Sequence, residues 1–368
     1  MLQSLMRQPK RILMTVDAVG GVWRYAMDLA GTLVAQGTEV VFAGLGPEPS
    51  GAQRAEAERI GTLIWLQAPL DWMVEREEEL DHLPQELAAV VGDFGVDLVH
   101  LNMPSQACGL DIGCPVVVVS HSCVVTWFHA VRGEEVPADW QWHKARNRAG
   151  FDHADAVLAP SRSHADMLER CYGPIRQLSV VHNASDETPP PSGTRCRFVL
   201  AAARWWDDGK NGRVVDEAAA RTVWPIHMAG AMRGPNGQSL ELRHALPLGE
   251  MPNRDIRNRM ARAGVFVSSS LYEPFGLAAL EAARVETPLV LADIPTYREL
   301  WDGAALFFPP RDAGALADCV NRLAEDEALR AELGRAAGLR SREFSTARQS
   351  SGVLAIYAQA LTNATAGR

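Results

Sequence analysis

Two carboxylates flank a turn in the second half of the chain. Residues 268–282 read S-S-S-L-Y-E-P-F-G-L-A-A-L-E-A and follow the apolar run 265–267. Within one straight helix, the eight positions between Glu273 and Glu281 would separate them by about 12 Å along the axis and turn them off a common face. We therefore predict a strand, a loop that carries Glu273, and a helix that begins near Gly276, with both acids at one ligand site.

The predicted start of this helix also suits a ligand. Backbone N–H groups at a helix N-terminus lack intrahelical acceptors and have the positive end of the helix dipole behind them, so they favour a phosphate. Two carboxylates beside them could hold sugar and ribose hydroxyls. The alternative is an ordinary strand–helix unit with two surface acids, and other parts of the chain decide between these readings. The N–H groups concerned belong to Phe275, Gly276 and Leu277.

Two cations and a glycine pair stand at other predicted strand ends. Arg204 and Lys210 flank residues 205–209, just after the first strand of the second half. A planar guanidinium and a point-charge ammonium in one loop could clamp a diphosphate, although ordinary surface charge is the alternative. Gly20 and Gly21 form the first strand-to-helix turn, where they allow a phosphate or sugar to approach the backbone, unless they serve only the turn.

A histidine follows a segment whose sequence predicts a buried strand. Residues 115–120 form a continuous valine run, typical of a parallel strand covered on both faces, and His121 comes directly after it. A structural histidine is the alternative. The chain has no Asp-x-Asp, no G-x-x-x-x-G-K-S/T loop and no serine nucleophile elbow, so metal-dependent phosphoryl transfer and serine hydrolysis lack their usual sequence support.

Strands and helices alternate along the whole chain, the pattern of α/β proteins with parallel sheets. The pattern restarts after residues 185–194, a Pro/Gly/polar stretch of linker character. We place the domain boundary there, with an N-terminal domain over 1–190 and a C-terminal domain over 195–345. Ligands of such sheets bind beyond the carboxyl ends of the strands, and two such domains facing each other would form a cleft.

The bulk composition is that of an ordinary soluble protein. The chain has 368 residues, of which 47% are hydrophobic and 22% charged, and its formal net charge of −9 argues against a nucleic-acid binder. The six cysteines form no Cys-x-x-Cys pair, which fits a reduced cytosol. The first ten residues are too short and polar for a secretory signal, and no apolar run reaches 18 residues. Peripheral membrane contact stays open.

The motif from Glu273 to Glu281, E-P-F-G-L-A-A-L-E, is the most specific part of a wider pattern. Together with Arg204-x5-Lys210, the paired glycines and the histidine after the valine strand, it resembles the family-4 retaining glycosyltransferases of the GT-B fold, over residues 11–357. The resemblance implies two Rossmann-like domains facing across a cleft. It also implies that the last helix, 349–366, crosses back onto the N-terminal domain.

The resemblance assigns the sugar, ribose and base contacts of a nucleotide-sugar donor, held mainly by the C-terminal domain. It implies that Glu281 binds the ribose hydroxyls and that Glu273 holds hydroxyls of the donor sugar. His121 would hydrogen-bond that sugar near the reacting centre. Met251 stands where the backbone usually meets the base.

The resemblance likewise assigns the phosphate contacts. Arg204 and Lys210 would meet the diphosphate, and the turn at Gly20 and Gly21 would approach it from the other domain. Backbone N–H groups at the start of the motif helix would bind sugar and phosphate; they are those of Phe275, Gly276 and Leu277.

The implied reaction moves a hexose to a saccharide or lipid-linked acceptor with retention of anomeric configuration. The acceptor hydroxyl attacks the anomeric carbon on the same face from which the phosphate departs, and the departing phosphate takes the proton of that hydroxyl. No metal or other cofactor is required. UDP-, GDP- and ADP-sugars all remain open as donors, with UDP-glucose or GDP-mannose favoured. The implied location is the cytoplasm, with possible peripheral contact at the inner face of the cytoplasmic membrane.

Two other functions stay open for the same fold. One is a different GT-B enzyme, an epimerase or a phosphorylase; a phosphorylase needs a pyridoxal lysine, and the chain after the linker offers only Lys210. The other is a silent nucleotide-sugar-binding protein. The acceptor is also open, because the aromatic residues after His121 could stack on it or pack in the core; they are Trp127, Phe128, Trp140 and Trp142.

The chain departs from the family pattern at three places. Ala203 precedes Arg204 where glycine is usual, and Asn183-Ala184 replaces the common Asn-Gly. Residues 285–288, after the motif helix, lack the usual glycine. A non-glycine residue there carries a modest cost if the helix end requires a positive φ.

Overall fold

The computed structural model describes residues 8–185, 195–234 and 237–366. The chain divides into two compact units. The N-terminal unit reaches Ala184 and includes the C-terminal segment from Thr346, and the C-terminal unit extends from Ser185 to Ser345. All but the first residue of the predicted linker, 185–194, lie outside the described residues. Each unit contains a parallel β-sheet flanked by helices, so the predicted pair of Rossmann-like α/β units is confirmed.

The sheet of the N-terminal unit has the strand order β3-β2-β1-β4-β5-β6-β7. Its strands are β1 (Arg11–Asp17), β2 (Glu39–Leu45), β3 (Thr62–Trp65), β4 (Leu98–Leu101), β5 (Val116–Val119), β6 (Ala156–Ala159) and β7 (Leu178–Val180). Its helices up to the boundary are α1 (Gly21–Ala35), α2 (Gly51–Ile60), α3 (Leu83–Phe94), α4 (Val124–Trp127), α5 (Gln141–His153) and α6 (Arg162–Tyr172). A π-helical turn, Phe128–Arg132, continues α4.

Strand β1 shows why this sheet is covered on both faces. Successive side chains of a strand point to opposite faces, so Ile12 and Met14 join a cluster that contains α1, while Leu13 joins the cluster that contains α3. All three are fully buried. A strand buried on both faces reads as a continuous apolar run, which is what the sequence of β1 and of β5 provides.

The sheet of the C-terminal unit has the order β10-β9-β8-β11-β12-β13. Its strands are β8 (Cys196–Ala202), β9 (Ile226–Ala229), β10 (Leu246–Gly249), β11 (Ala263–Ser268), β12 (Leu289–Ala292) and β13 (Ala305–Phe308). Its helices are α7 (Gly212–Ala219), α8 (Asn253–Arg262), α9 (Leu277–Arg284), α10 (Pro295–Trp301), α11 (Ala313–Glu325) and α12 (Glu327–Ser341).

The last helix, α13 (Thr346–Ala366), belongs to the N-terminal unit, as predicted. Four buried hydrophobic residues of this helix recur at helical spacing and lie in one cluster with α1; they are Val353, Tyr357, Ala360 and Leu361. Within the described residues, no helix has the length and apolar character needed to cross a membrane.

Each sheet reverses its strand order at one point. The reversal lies between β1 and β4 in the first sheet and between β8 and β11 in the second. Loops that leave such neighbouring strands run in opposite directions and open a crevice at the carboxyl ends, where ligands of doubly wound sheets bind. The predicted site residues follow these strands or their neighbours, except Met251, which follows β10 at the edge of the second sheet.

Candidate functional site

The E-P-F-G segment forms the predicted strand, loop and helix. Strand β11 ends at Ser268, the loop carries Glu273, and α9 begins at Leu277. Gly276, the N-cap, has φ +93° and ψ 62°, a left-handed conformation that side chains disfavour. A Cβ atom there would lie 2.8 Å from Cε1 of Tyr297 and 3.3 Å from Cγ of Glu273. Glycine therefore provides both the backbone conformation and the space at this turn.

An ion pair joins the loops after β8 and β11. The Lys210 ammonium donates to Oε2 of Glu273 at 2.7 Å, and the two side chains are only 17% and 18% exposed. Partial burial strengthens such a pair and makes it costly to remove one partner alone. The structure thus brings two predicted site residues, 63 positions apart in the sequence, into direct contact.

Backbone and side-chain hydrogen bonds hold these loops together. Ser269 donates from Oγ to the carbonyl of Lys210 at 2.8 Å, and the amide of Asn211 donates to the carbonyls of Ser269 and Pro310. The N–H of Leu271 donates to the carbonyl of Gly209 at 2.8 Å. These contacts fix the position of the Lys210 backbone. Sequence reasoning missed Asn211 and Ser269 as supports, although both stand in the motifs.

Arg204 lies in the same loop as Lys210 but has a different environment. Its guanidinium carbon lies 5.5 Å from the ring centre of Trp206, a cation–π contact. No ion pair of Arg204 is found among the described residues. The side chain is half-buried, and Trp205 beside it is buried and anchored by its indole N–H on the carbonyl of Ala229. A cation with this setting suits an anionic ligand.

Of the remaining predicted residues of this unit, Phe275 and Glu281 lie in the loop and helix after β11, at the reversal point, whereas Met251 lies two strands away. Phe275 is buried and packs edge-to-face on Phe344, so its contribution is limited to the backbone. Glu281 is half-buried in the second turn of α9. Met251 follows β10, the edge strand of the sheet, two residues after Gly249 with its φ of +68°.

The glycine turn of the N-terminal unit lies at the other reversal point. Strand β1 ends at Asp17, whose carboxylate accepts the N–H of Val19 at 3.0 Å. Gly20 is the N-cap of α1 and is extended, with φ −151°, and Gly21 is the first residue of that helix. A glycine at the N-cap leaves the first N–H groups uncovered by a side chain, which suits the approach of an anion.

His121 lies after β5 and is held by a polar network. Its Nε2 lies 3.0 Å from Oδ1 of Asn102, the residue after β4, and Tyr25 packs edge-on against its ring at 4.3 Å between centres. Burial, and then the nearby His100 and His164, lower the pKa of His121 to about 3. The imidazole is therefore neutral at physiological pH. Asn102 was missed, although a polar residue after a buried strand was the signal that singled out His121.

The aromatic residues after His121 form a connected, partly buried group. Trp127 and Trp140 both pack edge-to-face on Phe128, and Trp142 stacks on His143 at 3.6 Å. Arg132 lies over the Trp127 ring at 5.1 Å. These contacts pack the rings of the segment against one another and leave each of the four predicted aromatic side chains partly exposed.

The sequence matches two family models. Residues 19–188 match the model described as Glycosyltransferase Family 4, and residues 238–340 match Glycosyl transferases group 1. The alpha-maltose-1-phosphate synthase of Mycolicibacterium smegmatis is 34% identical over 299 residues, which cover 70% of this chain and 76% of that protein. The O-antigen chain mannosyltransferase B of Escherichia coli is 29% identical over 42% of this chain and only 36% of its own length.

Solved structures share the fold at low sequence identity. The sucrose-phosphate synthase of Thermosynechococcus elongatus aligns with a TM-score of 0.80 at 19% identity, covering 97% of this chain and all of that one. The Anabaena protein HepE in complex with UDP-glucose aligns with a TM-score of 0.72 at 18% identity, covering 96% and 99%. Likeness at this level of identity supports a common fold.

Proposed function

The chain belongs to the family-4 glycosyltransferases of the GT-B type, and on that premise we propose that it is a retaining hexosyltransferase. It would move a hexose from a nucleotide-diphosphate sugar to a saccharide or lipid-linked acceptor. The observation that carries the proposal is the Lys210–Glu273 ion pair at the reversal point of the second sheet, beside the start of α9 and next to a loop that also carries Arg204.

The charges of this site match those of a nucleotide-sugar. Arg204 and Lys210 would bind the diphosphate, and the N–H groups at the start of α9 would add further donors. Glu273, with Oε2 engaged by Lys210, would accept sugar hydroxyls at its remaining lone pairs. Glu281, one turn further along the helix, would hold the ribose hydroxyls, and the backbone at Met251 would meet the base.

We assign the cations a direct part in the reaction. The bond between the anomeric carbon and the phosphate oxygen breaks, negative charge grows on the leaving diphosphate, and Arg204 and Lys210 stabilise that charge. The leaving oxygen accepts the proton of the acceptor hydroxyl. The acceptor oxygen then bonds to the anomeric carbon on the face that the phosphate left, so the configuration is retained.

The proposed reaction is independent of a divalent metal. A metal in a nucleotide-sugar enzyme neutralises the charge of the diphosphate. Here the guanidinium of Arg204, the ammonium of Lys210 and the helix N-terminus would supply that neutralising charge. We propose UDP-glucose or GDP-mannose as the donor, because HepE is solved in complex with UDP-glucose and a relative from Xanthomonas campestris, 26% identical over 56% of this chain and 56% of its own length, is named a GDP-mannose-dependent alpha-mannosyltransferase.

A thermal-shift panel of UDP, GDP, ADP and their hexose conjugates tests the proposal. We expect one nucleotide and its hexose conjugates to raise the melting temperature. Product analysis with that donor should show the same anomeric configuration in the product as in the donor. Activity should survive a chelator. Donor turnover that persists unchanged in Lys210→Ala would contradict the site. A donor that is bound and epimerised, or bound and never consumed, would contradict the proposed reaction.

A further inference from the structure

A chain of buried hydrogen bonds links the C-terminal helix to His121. The Tyr357 hydroxyl lies 2.7 Å from Nδ1 of His100, and Nε2 of His100 lies 3.3 Å from Oδ1 of Asn102. The same Oδ1 is 3.0 Å from Nε2 of His121. Tyr357 and His100 are fully buried, and Asn102 is 4% exposed. The chain therefore runs through the interior of the N-terminal unit and ends at the half-buried His121.

The direction of each bond follows from the amide of Asn102. Its Nδ2 donates to the carbonyl of Thr15 at 2.5 Å, and its backbone N–H donates to the Thr15 hydroxyl at 2.8 Å. The amide nitrogen is thus engaged, and Oδ1 can only accept. Both histidines that approach Oδ1 must then carry their proton on Nε2.

The hydrogen bond between Tyr357 and His100 agrees with a proton on Nε2 of His100. Burial lowers the pKa of His100 to about 4, so its ring is neutral, and a neutral ring protonated on Nε2 has a lone pair on Nδ1. Tyr357 faces that lone pair, and burial raises the pKa of its phenol well above the ordinary value, so the hydroxyl keeps its proton and donates it. Each hydrogen bond in the series from Tyr357 to His121 therefore has a defined donor and a defined acceptor.

We propose that Tyr357 and Asn102 are positioning residues that hold His121 as the Nε2–H tautomer, with the Nδ1 lone pair available to accept a hydrogen bond from a hydroxyl of the transferred sugar. No protein partner of Nδ1 is found among the described residues. Tyr25 fixes the plane of the His121 ring from the side and lies 3.4 Å from Nε2 of His100 through its own hydroxyl. The inference rests on the proposed function, since it assigns the sugar contact to His121.

Loss of the Tyr357 hydroxyl would act on His121 through its tautomer. Without that donor, Nδ1 of His100 has no partner in the interior, and the ring can turn so that its Nε2–H no longer points at Oδ1 of Asn102. Oδ1 then keeps only the N–H of His121, and the amide is held less firmly in the orientation in which its oxygen faces that ring. In those molecules whose amide turns and offers its nitrogen, His121 must accept at Nε2 and carry its proton on Nδ1, so the tautomers mix.

A double-mutant cycle separates this role from a general effect on packing. Tyr357→Phe removes one hydroxyl and should lower kcat/KM by about tenfold, the scale of one hydrogen bond. In a His121→Ala background the same change should alter kcat/KM less than about twofold, because the residue through which Tyr357 acts is gone. Ser350→Ala is the matched control, since it removes another fully buried hydroxyl from α13, one that bonds only within its own helix.

Nitrogen NMR of the histidine rings gives a second, independent readout. The long-range proton–nitrogen spectrum of the protein with labelled histidine separates protonated from unprotonated ring nitrogens, and His121→Gln assigns the signals. The wild type should show His121 protonated on Nε2, and Tyr357→Phe should move that proton or mix the tautomers, while Ser350→Ala should not. This measurement needs no turnover, so it tests the hydrogen-bond chain even if the proposed hexosyl transfer fails.

Three results would overturn the inference. One is a wild-type His121 protonated on Nδ1. Another is a Tyr357→Phe spectrum identical to that of the wild type. The third is a loss of kcat/KM from Tyr357→Phe that is equally large with and without His121, which would mark Tyr357 as a purely structural residue.

Discussion

Glu273 is the residue on which the donor site depends most directly. Its carboxylate is bonded to Lys210 and is also proposed to hold the sugar. In Glu273→Gln the ammonium of Lys210 loses its charged partner in a site where both side chains are mostly covered. We expect kcat/KM for the donor to fall about 100-fold, the usual scale for removing one electrostatic contact in an active site. Steady-state kinetics with the best donor measures this.

The control for Glu273 is another ion-paired carboxylate of the same unit. Asp302 lies 3.3 Å from Arg298 with a side chain 74% exposed, far less covered than Glu273. Asp302→Asn should leave kcat/KM unchanged, because exposed pairs contribute little to stability and this one has no proposed ligand. If both substitutions reduced activity alike, the loss in Glu273→Gln would reflect general destabilisation.

Gly276 carries a second prediction at this scale. Gly276→Ala places a Cβ atom 2.8 Å from the ring of Tyr297 and forces alanine into a φ of +93°. Since Tyr297 is fully buried, the turn must move, and with it Glu273 and the start of α9. We expect weaker donor binding in calorimetry together with a lower melting temperature.

Gly303 separates backbone strain from the steric clash. It also has a positive φ, +75°, but a Cβ atom there meets nothing within 4 Å. Gly303→Ala should therefore lower the free energy of unfolding by the backbone strain alone, about 1 kcal/mol, which lowers the melting temperature, and it should leave donor affinity intact. Equal affinities for the donor in Gly276→Ala and Gly303→Ala would contradict the proposed role of the turn.

The sequence predicted which residues stand at strand ends, because apolar runs are visible in it and polar residues after them are easily located. It could not predict which strand ends meet. Lys210 contacts Glu273 because β8 and β11 are neighbours across the reversal point. The contact of His100 with Tyr357 joins residues 257 positions apart, and a tyrosine on the apolar face of a helix gives no sequence signal of such a bond.

At the scale of elements, the end of α9 resolves one departure from the family pattern. The N–H of Glu286 bonds to the carbonyl of Ala283, and that of Thr287 to the carbonyl of Ala282, which is a Schellman ending. Glu286 occupies the position that requires a positive φ, and its φ is +58°. The glycine missing from residues 285–288 would have stood where the backbone favours one.

Glu286→Gly should therefore stabilise the C-terminal unit. The left-handed conformation costs a non-glycine residue about 1–2 kcal/mol, part of which is offset by the extra freedom of glycine in the unfolded chain. We expect a melting temperature higher by about 2–4 °C. Glu286→Ala is the control, since it removes the carboxylate that attracts Arg195 and keeps the strained backbone. A higher melting temperature in both variants would show that charge, and not backbone strain, decides.

Some elements differ from what periodicity predicts, for physical reasons that lie in single residues. Apolar spacing over 75–92 predicts one helix, but α3 begins at Leu83, with Pro84 in its first turn, and a 3₁₀ turn precedes it. Helix α2 has no apolar stripe, since Ala57 is its buried residue, and it depends on a capping box between Ser50 and Gln53. Capping is a local signal that a search for apolar periodicity does not detect.

At the scale of the molecule, the alternation of strands and helices was sufficient to predict two doubly wound units. The fold that this alternation produces is shared by proteins whose sequences differ widely: the sucrose-phosphate synthase of Thermosynechococcus elongatus aligns with a TM-score of 0.80 at 19% identity. The shared property is the burial of each parallel sheet on both faces, which many apolar sequences satisfy. Ligand specificity depends instead on a few polar residues in loops, so the fold does not identify the donor or the acceptor.

Histidines that are neutral in the folded N-terminal unit make its free energy of unfolding depend on pH. Burial lowers the pKa of His100, His143 and His164 to about 4 and that of His121 to about 3, from an ordinary value of 6.5. Between these values the unfolded chain binds protons that the folded unit does not. The free energy of unfolding therefore falls as pH drops below 6.5, by about 1.4 kcal/mol per pH unit for each such histidine, and the fall ends near the folded pKa values.

His143 allows this prediction to be tested without disturbing the proposed site. It is 1% exposed, and neither ring nitrogen has a hydrogen-bond partner within the part of the chain that the structure describes. His143→Phe removes one titrating group, so the melting temperature should fall less steeply between pH 6.5 and pH 4.5 than in the wild type, as measured by calorimetry. His82→Gln, at an exposed position, should reproduce the wild-type slope. A wild-type melting temperature that stays constant over this range would mean that these histidines are protonated in the folded unit, which would also remove the basis for a neutral His121.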